Sequence, residues 1–216
     1  MSAGVVRLWG VVVASMVVVT GCASPSQPTR FYRLDGAVTS EQMIDLKPQP
    51  GLVRIGIAPV EVAGYLDRPQ MIERQTTHRL ELYEFDQWAG SLQENLLSLV
   101  SDQLQLQLRN MQVITYPWPS SMSPDYDLNL FISRFERADG QIVLQGRWSL
   151  TRRRSGQIVL MQQTRLKALF RGSGIEASVS AASQVVKRLS EHMAAEIRAY
   201  VTVDESTDLS RREPHR

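Results

Sequence analysis

YDLNLFISRFERADGQIVLQGRWSLTRRRSGQIVLMQQTRLKALF, residues 126–170, is the stretch that decides how this chain folds. Two turn signals, Asp139-Gly140 and Ser155-Gly156, divide it into three segments. Asp-Gly is a strong hairpin signal because both positions tolerate the positive φ of a tight turn. In 126–137, Leu128, Leu130 and Ile132 share one face. In 141–152, Ile142, Leu144, Gly146, Trp148 and Leu150 alternate with Gln141, Gln145, Arg147 and Ser149. In 157–170, Leu166, Ala168 and Phe170 oppose Arg165 and Lys167. A period of two sends neighbouring side chains to opposite faces of a sheet, so each segment reads as a strand with one buried face. Together they predict an antiparallel meander.

An apolar sheet face has to be covered, and two helical patterns supply the cover. The first takes Asp86 as N-cap and carries Trp88, Leu92, Leu96, Leu99, Val100 and Leu104 on one side, ending near Arg109-Asn110. The second opens on Ser173-Gly174-Ile175-Glu176, which has capping-box spacing. Its stripe is Ala182, Val185, Val186, Leu189, Met193, Ile197 and Tyr200, with Lys187, Arg188, Glu191 and Arg198 facing away. Shorter strands are expected at 31–34, 52–60 and 112–116, and at 71–74 paired with 79–83 across Thr76-Thr77. The fold class is therefore α+β, an antiparallel or mixed sheet with two main helices packed on one face. The domain spans 31–203, and the polar, charged stretch 204–216 reads as a disordered tail.

Upstream of the domain the pattern changes. After Arg7, residues 8–19 form an apolar run of about a dozen residues, short of the roughly 20 that span a membrane. It ends in Val19-Thr20-Gly21-Cys22, which resembles the lipobox of bacterial lipoprotein precursors, although Leu is more usual where Val19 stands. Small residues let a peptidase reach the backbone, and the thiol accepts a diacylglycerol. Residues 1–21 are thus expected to be a signal peptide and Cys22, the single cysteine, the lipidation site. Residues 22–30, rich in Ser and Pro, form a flexible tether. Asp does not follow Cys22, which points to the outer membrane, periplasmic face. Acylation with more than one chain gives a stable hold there.

The rest of the composition mostly excludes. A net charge of +2 argues against nucleic acid as a partner. His78, His192 and His215 lack metal-ligand spacing, and there is no phosphate loop or nucleophile elbow, so neither metal nor cofactor is expected beyond the covalent lipid. Asp125 and Asp127 lie where solvated carboxylates belong, at the start of a strand. Arg152-Arg153-Arg154 reads first as a solvated hairpin end and second as a contact for lipid headgroups or an acidic surface. Gly64-Tyr65-Leu66-Asp67-Arg68-Pro69-Gln70-Met71-Ile72 is less ordinary: an aromatic, a charge pair and a proline sit between two strands. On physical grounds it is a structured loop, with packing favoured over binding.

The stretch 65–72, Arg79-Leu80, Glu84-Phe85-Asp86-Gln87-Trp88-Ala89, the opening Phe31-Tyr32-Arg33-Leu34 and the closing helix resemble the ABC-type transport auxiliary lipoproteins of the paraquat-inducible protein C type. The resemblance spans nearly the whole mature chain. It implies a non-enzymatic subunit of an envelope lipid-transport system, partnered by a periplasmic MCE-domain protein and inner-membrane permease or ABC components. It implies docking of the lipid tunnel at the outer membrane, with a homo-oligomeric ring as a symmetric match to a ring-shaped partner. Tyr65, Leu66, Asp67, Arg68 and Pro69 become candidate partner contacts; Trp88 is a further one, though a core anchor is the favoured role for it. The competing readings are a stand-alone periplasmic lipid-binding or envelope-maintenance lipoprotein, which requires a deep apolar cavity, and, last, an enzyme.

Overall fold

The computed structural model describes residues 27–36, 51–172 and 174–212, and only the backbone of 205–212. The signal segment, Cys22, His215 and Ser173 of the expected capping box lie outside the described residues. The elements are β1 (Arg30–Tyr32), β2 (Val53–Ile57), β3 (Glu61–Val62), β4 (Gln70–Arg74), β5 (Leu80–Trp88), α1 (Leu92–Gln107), β6 (Met111–Thr115), β7 (Tyr126–Ala138), β8 (Gln141–Arg152), β9 (Gln157–Leu169) and α2 (Ile175–Arg212). The fold is α+β, as its alternating and helical patterns predict: one mixed nine-stranded sheet with two long helices.

The meander forms as read from the sequence. β7 pairs antiparallel with β8 and β8 with β9, over nearly their whole lengths. Asp139 and Gly140 both take positive φ in the first turn, 50° and 71°. The other edge of β7 is tiled by three short parallel strands in succession. β2 sits against Tyr126–Leu128, β3 against Phe131 and Ile132, and β4 against Arg137 and Ala138. β6 extends the sheet beyond β2, and β5 and then β1 extend it beyond β4.

One irregularity in β7 re-aims its side chains. The register shifts between Ile132 and Arg134, which leaves Ser133 unpaired, its hydroxyl donating to the Gln145 carbonyl at 3.1 Å. Before the bulge Leu128, Leu130 and Ile132 face the core; after it Phe135 does, and Arg137 reaches Ser178 of α2 at 3.3 Å. Arg134 and Glu136 are thereby turned to the face away from the helices. The strand opposite carries Gly146 at this point, where a Cβ would stand 2.6 Å from the Phe131 carbonyl oxygen.

The core lies between the sheet and the helices. Leu128, Leu144, Trp148 and Leu150 from the meander meet Val185, Val186, Leu189, Met193 and Ile197 of α2 and Leu96, Val100 and Leu104 of α1. The expected start of the first helix needs correction. Asp86 and Trp88 belong to β5, which runs further than expected, and the N-cap is Ser91. Its hydroxyl accepts from the Glu94 N–H at 3.1 Å while the Glu94 carboxylate accepts from the Ser91 N–H, a complete capping box. Asp86 is instead a buried carboxylate that receives both arms of Arg30, at 2.8 and 2.9 Å, and the Tyr32 hydroxyl. Ser91→Ala is expected to cost about 1 kcal/mol, lowering Tm by about 2–4 °C in a domain of this size. Thermal unfolding followed by circular dichroism checks it.

The expected end of the domain at Val203 is also corrected, because α2 continues to Arg212. The physical reason is Asp204, which accepts from Arg152 and from the Tyr126 hydroxyl and so ties the last turns to β7 and β8. Arg152 is therefore no solvated hairpin residue; it also donates to the Tyr200 hydroxyl at 2.8 Å. Arg153 pairs with Asp127 at 3.2 Å and lies over the Trp118 ring. Arg153 and Arg154 both keep the expected exposed turn position.

Candidate functional site: the Gly64–Gln70 loop and its buried carboxylate

After β3 the chain makes one tight helical turn, Gly64–Leu66, before Asp67-Arg68-Pro69 leads into β4. The turn exists because two short strands must occupy successive stretches of the same edge of β7, and the chain has to step outward between them. Its side chains fasten it. Leu66 is 2% exposed and plugs into the core. The Tyr65 hydroxyl donates to the Glu136 Oε2 at 2.8 Å and lies 3.2 Å from the Ser133 carbonyl. Asp67 accepts from the Gln93 amide at 2.9 Å, and the Trp88 N–H donates to the Pro69 carbonyl at 2.8 Å.

The five residues singled out in the sequence thus divide. Tyr65 and Leu66 hold the loop, and Asp67, Arg68 and Pro69 face solvent as a short rigid crest. A partner can reach the last three without any rearrangement. Trp88 is a core residue at the end of β5, its ring 6.0 Å from that of Phe135. His78 is exposed in the β4–β5 turn, and His192 on α2 meets Gln162 at 2.9 Å.

Glu136 is the anchor beneath the loop and was invisible to motif reading. Its side chain is fully buried and accepts from Arg74, Arg134 and Tyr65. Arg134 contributes two bonds, at 3.0 and 2.7 Å. Burial pushes the Glu136 carboxyl up, but the hydrogen bonds from Arg74, Tyr65 and Arg134 outweigh it and hold it below the usual carboxylate range. Burial and the hydrogen bond to Glu136 together push the Tyr65 phenol well above its ordinary value, so it stays a donor. A second charged group stands on the helix side of the sheet. Arg137 pairs with Glu73 at 3.5 Å and lies between the Tyr83 and Phe170 rings. The one sequence signal for Glu136 was a carboxylate flanked by two arginines inside a strand, and only the bulge decides that it is buried.

Beside this group, under α2, lies a cavity of about 20 Å³, lined by apolar side chains such as Leu66, Met71 and Phe135 and also by Gln70, Arg137 and Ser178. It has room for about one water and none for an acyl chain.

The model of one family, the ABC-type transport auxiliary lipoprotein component, matches residues 32–194, which takes in the loop, its support and most of both helices. The chain belongs to the ABC-type transport auxiliary lipoproteins. No curated protein matches this auxiliary lipoprotein in sequence. Among solved structures it is similar to an uncharacterised protein, with 21% identity and a TM-score of 0.65, over 79% of this chain and 99% of the other. It is similar also to a protein from Xanthomonas campestris, with 15% identity and a TM-score of 0.60, over 74% and 94% of the two chains. At these identities the likeness speaks for the fold of the auxiliary lipoprotein alone.

Proposed function

We propose that this auxiliary lipoprotein is a non-enzymatic docking subunit of an envelope lipid-transport system, held on the periplasmic face of the outer membrane by lipid on Cys22. Its partners in this reading are an MCE-domain periplasmic protein and the associated permease or ABC components. The carrying observation is the family match across residues 32–194, joined to a rigid exposed crest, Asp67–Pro69, fastened at both ends. A crest that is already ordered loses little freedom on binding, which favours a docking role. Ring-shaped self-assembly fits a partner that is itself a ring. The decisive experiment places a photo-crosslinking residue at Arg68 in the native envelope. A crosslink to an MCE-domain protein supports the reading, and a crosslink pattern without one rejects it.

The stand-alone lipid carrier needs an acyl-sized apolar cavity, and the cavity under α2, at about 20 Å³, is too small to be that site.

The anchor has its own test. Mass spectrometry of the native N-terminus should find an acylated Cys22. Cys22→Ser should move the protein from the membrane to the soluble fraction, while a free Cys22 thiol or an intact Met1 in the native protein rejects lipidation. β1 transmits that anchor to the sheet through Arg30 and Asp86, so the folded domain should unfold at the same temperature with or without lipid.

A further inference from the structure

The sheet face that carries no helix has a groove of about 550 Å³ between the β4–β5 turn and the β7–β8 turn. That is the size of a small-molecule site. Three cross-strand rows lie on this face. Arg74 stands beside Ala138, Glu136 beside Val143 and Lys167, and Arg134 beside Gln145 and Arg165. Arg74, Arg134, Arg165 and Lys167 line the groove together with Asp139; counting the buried Glu136 that pairs with Arg74, that is four cations to two carboxylates, an excess of two. Glu136 is engaged by Arg74 and Arg134. Among the described residues, the Arg165 and Lys167 side chains have no carboxylate within ion-pair distance. They are two residues apart on β9, so about 7 Å separates them along the strand. Thr76 and Thr77 lie on the opposite wall, the Thr76 Oγ1 accepting from the His78 and Arg79 N–H groups.

A compact excess of two positive charges, lining one concavity with two threonines on its opposite wall, suits a phosphate group better than a lone carboxylate. Phosphate offers several strong acceptors to cations arriving from different sides. Charged side chains on an edge strand also discourage strand-to-strand association. That role needs no concavity, whereas Arg165 and Lys167 line one.

We infer that this groove binds a phosphate group, either free phosphate or the phosphodiester of a phospholipid headgroup. Only the choice of the lipid source rests on the lipid-transport reading. The test is calorimetric titration of the full-length lipoprotein in non-ionic detergent at physiological salt, with inorganic phosphate and with a short-chain phosphatidylglycerol below its micelle concentration. Arg165→Gln/Lys167→Gln should weaken phosphate binding at least about tenfold, leaving the melting temperature unchanged, while Arg165→Lys/Lys167→Arg should retain it. Tighter binding of the phosphatidylglycerol identifies the headgroup as ligand; equal or weaker binding identifies free phosphate. No saturable binding of either, or equal affinity in the Gln variant, overturns the inference. Crosslinking at Arg68 reads the docking role independently, so the two can fail separately.

Discussion

Glu136→Gln is expected to lower the stability of the folded domain by about 3 kcal/mol, a drop in Tm of about 6–12 °C. The carboxamide keeps the volume but presents an N–H2 where Arg74, Arg134 and the Tyr65 hydroxyl all need an acceptor. Two guanidinium groups are then left half-buried with a single neutral oxygen between them. The figure sits at the lower end of the range for broken buried ion pairs, because both arginine side chains keep about a quarter of their surface in water, 23% and 26%. The pH dependence has a definite sign. A carboxyl held below its unfolded value stabilises the fold above that value, about 4.5, and the contribution is lost as pH falls through the folded value. The difference in urea midpoint between native protein and variant should be full at pH 7 and close below about pH 4. A gap that persists unchanged into acid would show that ionised Glu136 is not its source.

Gly146→Ala is expected to cost about 3 kcal/mol despite adding one methyl group. The new Cβ would stand 2.6 Å from the Phe131 carbonyl oxygen and 2.9 Å from the Ile132 Cδ1. The isoleucine methyl can rotate away; the carbonyl belongs to the backbone just before the bulge and cannot. Relief requires β7 and β8 to separate at the point where Ser133 is already unpaired, and where Arg147 rests on the Phe131 ring at 4.4 Å. Thermal melts decide the matter: a Tm within about 2 °C of the native value would mean that the bulge absorbs the methyl.

The meander was legible because its information is local. Alternation, two turns and adjacent partners are all written within 126–170. The capping box of α1 was equally local, in Ser91 and Glu94, yet Asp86 and Trp88 drew the start upstream because an acid followed by a spaced aromatic imitates an N-cap and an apolar stripe. What could not be read was non-local. The parallel pairing of β2, β3 and β4 with β7 joins residues roughly 65–70 positions apart, and alternation carries no register for such a match. The same holds for the functional residues. The loop 64–70 stood out by its composition, whereas Glu136 and the basic groove depend on a bulge that reverses the faces of β7. Asp204 looked like the beginning of a polar tail because its partners, Tyr126 and Arg152, lie in other elements.

The tiled edge of β7 also makes one strand the seam of the whole sheet. Among the described residues β3 has no strand partner other than β7, and β2 and β4 each lack one flank without it. The β2–β6 pair and the β1–β5–β4 group are therefore joined into one sheet only when β7 is present. A substitution that delays or weakens β7 is therefore felt at both flanks of the sheet at once, in the β2–β6 pair on one side and the β4–β5–β1 group on the other.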